Sequence, residues 1–266
     1  MRRRDFLGQT LGAAALLSLG AGSRQGRDLP VICYHQIAPQ ATSEMITTPE
    51  RFCQQLDYFK REGYETPTLE QAAAYLRGKA SKLNSKKMVL LTFDDGYDGV
   101  YKVALPELKK RGFLGVVFLV VGQMGKPGSV PHLTPEQIIE MSASGIFEFG
   151  SHTWDMHIKI PEDLQAKRIS SYGLWRDLVK SRKTIEEWTK KPAPGFAWPY
   201  GHYDETTIKI AKKAGFRVIF GTDYGKNWPG SGVDRICRVR LSSVYDTVDV
   251  LRRKLSLSQD LIDPLG

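Results

Sequence analysis

Met88-Val89-Leu90-Leu91-Thr92-Phe93-Asp94-Asp95-Gly96 is an almost wholly apolar run that ends on two adjacent carboxylates and a glycine. A short apolar run closed by turn residues reads as a strand buried on both faces, and such strands belong to parallel sheets covered by helices. Six further runs have this character: Val31-Tyr34, Leu114-Val121, Phe147-Gly150, Gly195-Trp198, Phe216-Gly221 and Arg235-Leu241. Amphipathic segments separate them. One opens at Pro49-Glu50 with Phe52, Leu56 and Phe59 on one stripe, and others run over 101–111, 134–144, 164–190 and 205–214, with Gly63, Gly112, Gly145 and Gly215 as stops. Seven strands alternating with helices in roughly 240 residues predict a distorted (β/α)7-type barrel, a single catalytic α/β domain, over an open doubly wound sheet. Chemistry then belongs just after strand C-termini.

The chain has 266 residues, 41% of them hydrophobic, enough for one large core. No fixed repeat or low-complexity run is present, which excludes solenoids and fibrous or disordered classes. Arg2, Arg3 and Arg4 precede Asp5-Phe6-Leu7 and an apolar stretch over 11–19 that ends in Ala21, Gly22 and Ser23. That stretch is shorter than the ~20 residues a membrane span needs, so 1–23 reads as a twin-arginine-like export signal, cut near Ser23, and 24–266 as the exported domain, periplasmic or extracellular. No membrane span remains after cleavage. The net charge is +9, but the Lys and Arg are scattered, and with export and no nucleic-acid motif a nucleic-acid partner is excluded. Protein partners stay open. Cys33, Cys53 and Cys237 are too few for a disulfide framework, and Cys33 and Cys237 read as small buried hydrophobes.

Two adjacent carboxylates at the mouth of a buried strand are costly without a cation. The run Phe147-Gly150 leads into Ser151-His152-Thr153-Trp154-Asp155-Met156-His157, whose two imidazoles can converge on one ion; an Asp with two His is a metal triad that leaves coordination positions open. Gly96 and Leu105 exclude a calcium loop starting at Asp94, the adjacency of the aspartates excludes an Asp-x-Asp phosphatase, and the His spacing is not that of a His-Glu-x-x-His protease. An Asp-His-His set suits zinc by default, with nickel or cobalt as alternatives. A third segment, Ala197-Trp198-Pro199-Tyr200-Gly201, also ends a strand.

Through Thr92-Phe93-Asp94-Asp95-Gly96, His152-Thr153-Trp154-Asp155-Met156-His157 and Trp198-Pro199-Tyr200-Gly201 the chain resembles the polysaccharide deacetylases, carbohydrate esterase family four or NodB-homology domains. Trp198, with Cys33-Tyr34-His35-Gln36-Ile37, resembles most the branch acting on poly-β-1,6-N-acetylglucosamine. The resemblance implies that Asp95, His152 and His157 bind a divalent metal, that Asp94 is the general base, that the Tyr200 N–H holds the oxyanion, and that Trp198 and Pro199 with Tyr200 shape the acetyl-sugar pocket. The commoner family pattern takes its acid from a C-terminal Leu-x-His; here no His follows His202. His35, at the end of the first strand, is the expected acid, with Asp223 to orient it and His202 as the competing candidate. His132, before Thr134-Pro135-Glu136, reads as flanking a helix. The expected activity is N-deacetylation of a polysaccharide, poly-β-1,6-N-acetylglucosamine first, then chitin oligomers, peptidoglycan or acetylxylan; a non-catalytic carbohydrate-binding domain is the different-class alternative.

Overall fold

In chain order the strands are β1 (Val31–Tyr34), β2 (Gln36–Ile37), β3 (Ile46–Thr47), β4 (Leu90–Phe93), β5 (Gly115–Leu119), β6 (Phe147–Ser151), β7 (Gly195–Ala197), β8 (Val218–Phe220) and β9 (Val239–Arg240). They come from a computed structural model that describes residues 28–79, 86–128, 130–241 and 245–257; the expected export signal lies outside the described residues. Seven strands pair in parallel in the order β8-β7-β6-β5-β4-β1-β9, and β2 pairs with β3 in a small side sheet. Every expected strand supplies one member of the large sheet. Ile32 of β1 faces Val239 of β9, while Ile236, just before β9, bridges to Phe220 of β8. The Ile236 N–H donates to the Ile219 carbonyl at 2.9 Å and the Gly221 N–H to the Ile236 carbonyl at 3.0 Å, so the stretch before β9 closes the sheet into a (β/α)7-type barrel.

Alternation along the strands separates an inner core from the outer ones. Leu90, Val116, Phe118, Val218, Phe220 and Ile236 gather in one cluster, and Leu91, Phe93, Val117 and Leu119 in another. The first is the barrel interior, joined by Leu69, Ala72, Ala73 and Leu76 of α2 (Leu69–Leu76). The second meets Phe52 and Leu56 of α1 (Pro49–Arg61), Leu108 of α3 (Leu105–Arg111) and Ile138 of α4 (Pro135–Ala143). Each such side chain, fully buried, contributes about 1.5–3 kcal/mol over exposure. By the same parity Thr92 and Asp94 continue the inward face of β4.

The helices differ from expectation where local chemistry breaks the period. α2 is short but begins with a capping box, Thr68 with Gln71. The segment ahead of α3 opens with a π turn over Val100–Ala104, where the Leu105 N–H reaches the Val100 carbonyl and Pro106 has no N–H to give. The expected helix over 164–190 splits into α5 (Ile160–Gln165) and α6 (Ser171–Thr189), because Lys167 turns left-handed (φ 55°) and Ser170 caps a new start on the Gly173 N–H. α7 (Glu205–Lys213) starts where expected, at Asp204, and α8 (Val248–Leu257) follows the barrel. The anticipated glycine stops all have positive φ. The three cysteines are unpaired; Cys33 is buried and Cys237 half-buried.

Candidate active site

Three strand ends turn into left-handed backbone at non-glycine residues: Asp95 after β4 (φ 72°), Thr153 after β6 (φ 84°) and Tyr200 after β7 (φ 57°). Such strain at one rim is characteristic of functional sites. It brings together Asp95, His152 and His157, whose ligand atoms lie within 4.8 Å of one another. The His157 Nε2 is 3.3 Å and the His152 Nε2 3.6 Å from the Asp95 Oδ1. His152 Nδ1 sits 2.7 Å from the Ala197 carbonyl, which fixes the proton on that nitrogen and leaves Nε2 with a lone pair toward Asp95. The donor set fits a divalent cation: one carboxylate, two imidazoles and an open side toward a hollow of about 330 Å3 lined by Asp95, Tyr97, Gln123, His132, Asp155 and His157.

α6 holds the His loop in place. Asp177 takes the Trp154 N–H at 2.8 Å and the Asp155 N–H at 3.0 Å, while Ser181 and Ser151 share a 2.7 Å hydroxyl contact. Sequence reasoning missed this support, since nothing marks Asp177 beyond its place on a helix. The 199–201 turn is set by Gly201, where a Cβ would lie 1.8 Å from the Thr222 Oγ1 and the φ is +74°. It carries the exposed Tyr200 ring to 4.8 Å from that of His157.

Asp94 belongs to a second group. Arg238 grips it with Nη1 on Oδ1 at 2.7 Å and Nη2 on Oδ2 at 2.8 Å, and the Cys33 thiol donates to Oδ2 at 3.5 Å. Both members of the ion pair are buried. Burial opposes charge on Asp94, but the Arg238 guanidinium outweighs it and holds the carboxyl well below the usual range. Arg238 is a functional residue the sequence reading passed over; an arginine inside an apolar strand run was the available signal, because it demands a buried anion. His35 lies beside this pair, with a ring nitrogen, the Asp94 carboxylate and the Cys33 sulfur all within 4.8 Å. Burial pushes His35 and His152 down from 6.5, against the pull of Asp94 and Asp95.

Other expected residues take different places. Trp198 is fully buried, stacked edge-on against Phe196 at 4.6 Å in a cluster with Phe216 and Ile219, so it backs the site and does not line the metal-side hollow. Pro199 is buried beside it. Asp223 takes the Tyr203 hydroxyl, whereas the carboxylates facing His35 are Asp94 and Asp95. His202 is tied to Glu162 at 2.7 Å through Nδ1. His132 stacks on Tyr97 at 4.9 Å and lines the metal-side hollow instead of merely flanking α4.

The polysaccharide deacetylase family profile matches residues 81–219. The polysaccharide deacetylase YxkH of Bacillus subtilis (strain 168) is 32% identical over 219 residues, 80% of this chain and 71% of that protein. The chain belongs to the polysaccharide deacetylase family. Among other deacetylases, the poly-β-1,6-N-acetyl-D-glucosamine N-deacetylase of Staphylococcus aureus (strain MRSA252) is 28% identical over 72% of this chain and 66% of its own length. The solved structure of IcaB from Ammonifex degensii superposes with a TM-score of 0.75 at 32% identity, covering 88% of this chain and 98% of that one. Streptococcus pyogenes deacetylase PplD, solved with acetate, gives 0.74 at 26%, covering 86% and 98%. Among the described residues no helix is long and apolar enough to cross a membrane.

Proposed function

We propose that this deacetylase removes N-acetyl groups from N-acetylglucosamine units of an extracellular or cell-envelope polysaccharide, with poly-β-1,6-N-acetylglucosamine as the substrate. The observation that carries the chemistry is the pairing of the Asp95, His152 and His157 cluster with Asp94 and His35 at one barrel rim. The likeness to the Staphylococcus aureus enzyme and to IcaB supports the choice of polymer. Export of 24–266 behind a twin-arginine signal over 1–23 accords with such a substrate.

Asp95, His152 and His157 would hold the metal, zinc by default with nickel or cobalt as alternatives. A divalent cation there supplies Lewis-acid polarisation of the acetamide and of the attacking water. Asp94 takes a proton from that water as its oxygen bonds to the acetamide carbon, and the Tyr200 N–H donates to the oxyanion that forms. Arg238 keeps Asp94 ionised and aimed. His35 gives a proton to the departing nitrogen as the C–N bond breaks, leaving acetate and a free amine. The proton that Asp94 takes from water balances the one that His35 gives up, and burial lowers the His35 pKa against the pull of Asp94 and Asp95.

Acetate release from poly-β-1,6-N-acetylglucosamine, chitin oligomers, peptidoglycan and acetylxylan by the metal-loaded chain tests the reading. Release from the first, lowered by orders of magnitude in Asp94→Asn and depressed in His35→Ala but not in His202→Ala, is the expected result. Release from another polymer replaces the substrate and keeps the chemistry. No release from any of them with metal bound overturns the enzyme reading in favour of a carbohydrate-binding domain.

A further inference from the structure

His35 and Arg238, both beside Asp94, form part of the lining of a second hollow, of about 360 Å3, which shares no lining residue with the metal-side hollow. Glu44, Met45, Thr222, Tyr224, Arg240 and Tyr245 wall its mouth. Seven large hydrophobic side chains are exposed among the described residues, and three of them, Met45, Tyr224 and Tyr245, are here. Clustered exposed apolar surface marks a binding site, whereas scattered residues do not.

The wall is preorganised. Tyr224 donates its hydroxyl to the Lys254 carbonyl, so its ring is pinned while 41% of the residue stays open. The Lys254 ammonium reaches the Arg240 carbonyl at 3.0 Å and the Asp246 carboxylate at 2.7 Å. Asp246 is tied in turn to β1, since its carbonyl accepts from Gln55 at 2.9 Å and Gln55 accepts the Tyr34 hydroxyl at 2.9 Å. Neither the Glu44 carboxylate nor the Arg240 guanidinium has a hydrogen bond or ion pair among the described residues. A fixed aromatic face flanked by one carboxylate and one guanidinium suits a ring with an apolar face and a polar edge, which is the chemistry of a pyranose.

We propose that this hollow is a subsite for the hexosamine unit next to the reacting one, with the Tyr224 ring as its stacking platform and Glu44 and Arg240 engaging its polar edge. The inference rests on the glycan reading above. The sugar chain then crosses the rim from the metal-side hollow to the Tyr224 hollow, and His35 lies where the scissile acetamide meets the second.

The test is the length preference, the ratio of kcat/KM on the β-1,6-linked N-acetylglucosamine pentamer to that on a small chromogenic acetyl ester. Tyr224→Ala lowers this ratio about tenfold, the scale of one aromatic contact, through KM on the pentamer. Tyr224→Phe keeps the ring and most of the ratio, and Tyr172→Ala, an exposed tyrosine on α6, leaves it unaltered. A fold-wide defect lowers both activities and spares the ratio. Calorimetric titration of chelator-treated protein with the pentamer separates the two readings. Binding weakened about tenfold by Tyr224→Ala, in a chain that releases no acetate, keeps the subsite and removes the catalytic reading. An unaltered ratio in an active chain, or pentamer binding that is absent or indifferent to Tyr224, overturns the subsite.

Discussion

Asp94 and Asp95 are neighbours in the chain and opposites in surroundings. Asp94 points into the barrel, where Arg238 takes both its oxygens; Asp95 turns left-handed to the rim, where two imidazoles face it. One carboxylate is committed to a fixed internal cation and the other left for a mobile one. Adjacent identical side chains thus acquire separate tasks through strand parity and one backbone torsion, without any difference in intrinsic chemistry.

The largest effects should come from exchanging those roles. Asp94→Asn is expected to lower acetate release by about 10²–10⁴, the scale of general-base catalysis, while one metal per chain remains by elemental analysis. Asp95→Asn should remove the metal itself; equal metal loss in both variants would collapse the distinction. Next, Arg238→Met leaves Asp94 buried and uncompensated and should cost about 3–5 kcal/mol in urea unfolding, against a near-silent Arg252→Met on the surface of α8. Asp177→Ala acts on the other side alone, loosening the His loop, and should weaken metal affinity about 10–100-fold in a chelator competition with stability measured in parallel.

The smallest effect is the pH dependence of the metal-free fold. His35 and His152 are held neutral by burial, so below 6.5 the unfolded chain binds protons that the folded chain refuses. Stability should therefore fall as pH drops from 6.5 toward their folded values, by at most about 1.4 kcal/mol per pH unit for each group. Asp94 and Asp95, depressed in the fold, contribute stability above 3.8 and lose it only below. Thermal melts from pH 7.5 to 5 check this, and a flat profile in that window would mean that neither imidazole is neutralised by burial.

The barrel was legible because strands buried on both faces are written as apolar runs, and the metal cluster because its ligands follow two of those runs directly. α2 and α8 were not, being short segments fixed by caps and packing more than by a long period. Trp198, expected at the acetyl-sugar pocket from the resemblance alone, follows strand parity instead: Ala197 faces the barrel interior, so its neighbour faces an outer cluster. His132 is placed by a backbone bridge to Tyr97 and by stacking on its ring, contacts no local pattern records. Arg238 lies 144 residues from the carboxylate it holds, and only barrel closure brings them together.

That closure bears on chain order. β1 lies between β4 and β9, so the segment carrying His35 is flanked by the strand that leads into Asp94 and by the last strand among the described residues. A ring of parallel strands has no intrinsic beginning. A histidine delivered by the first strand and one delivered from a C-terminal Leu-x-His can therefore occupy the same sector of the rim. Cutting the gene after β1 and rejoining that piece behind β9 would rewrite the linear order of the motifs while leaving the geometry of proton delivery intact.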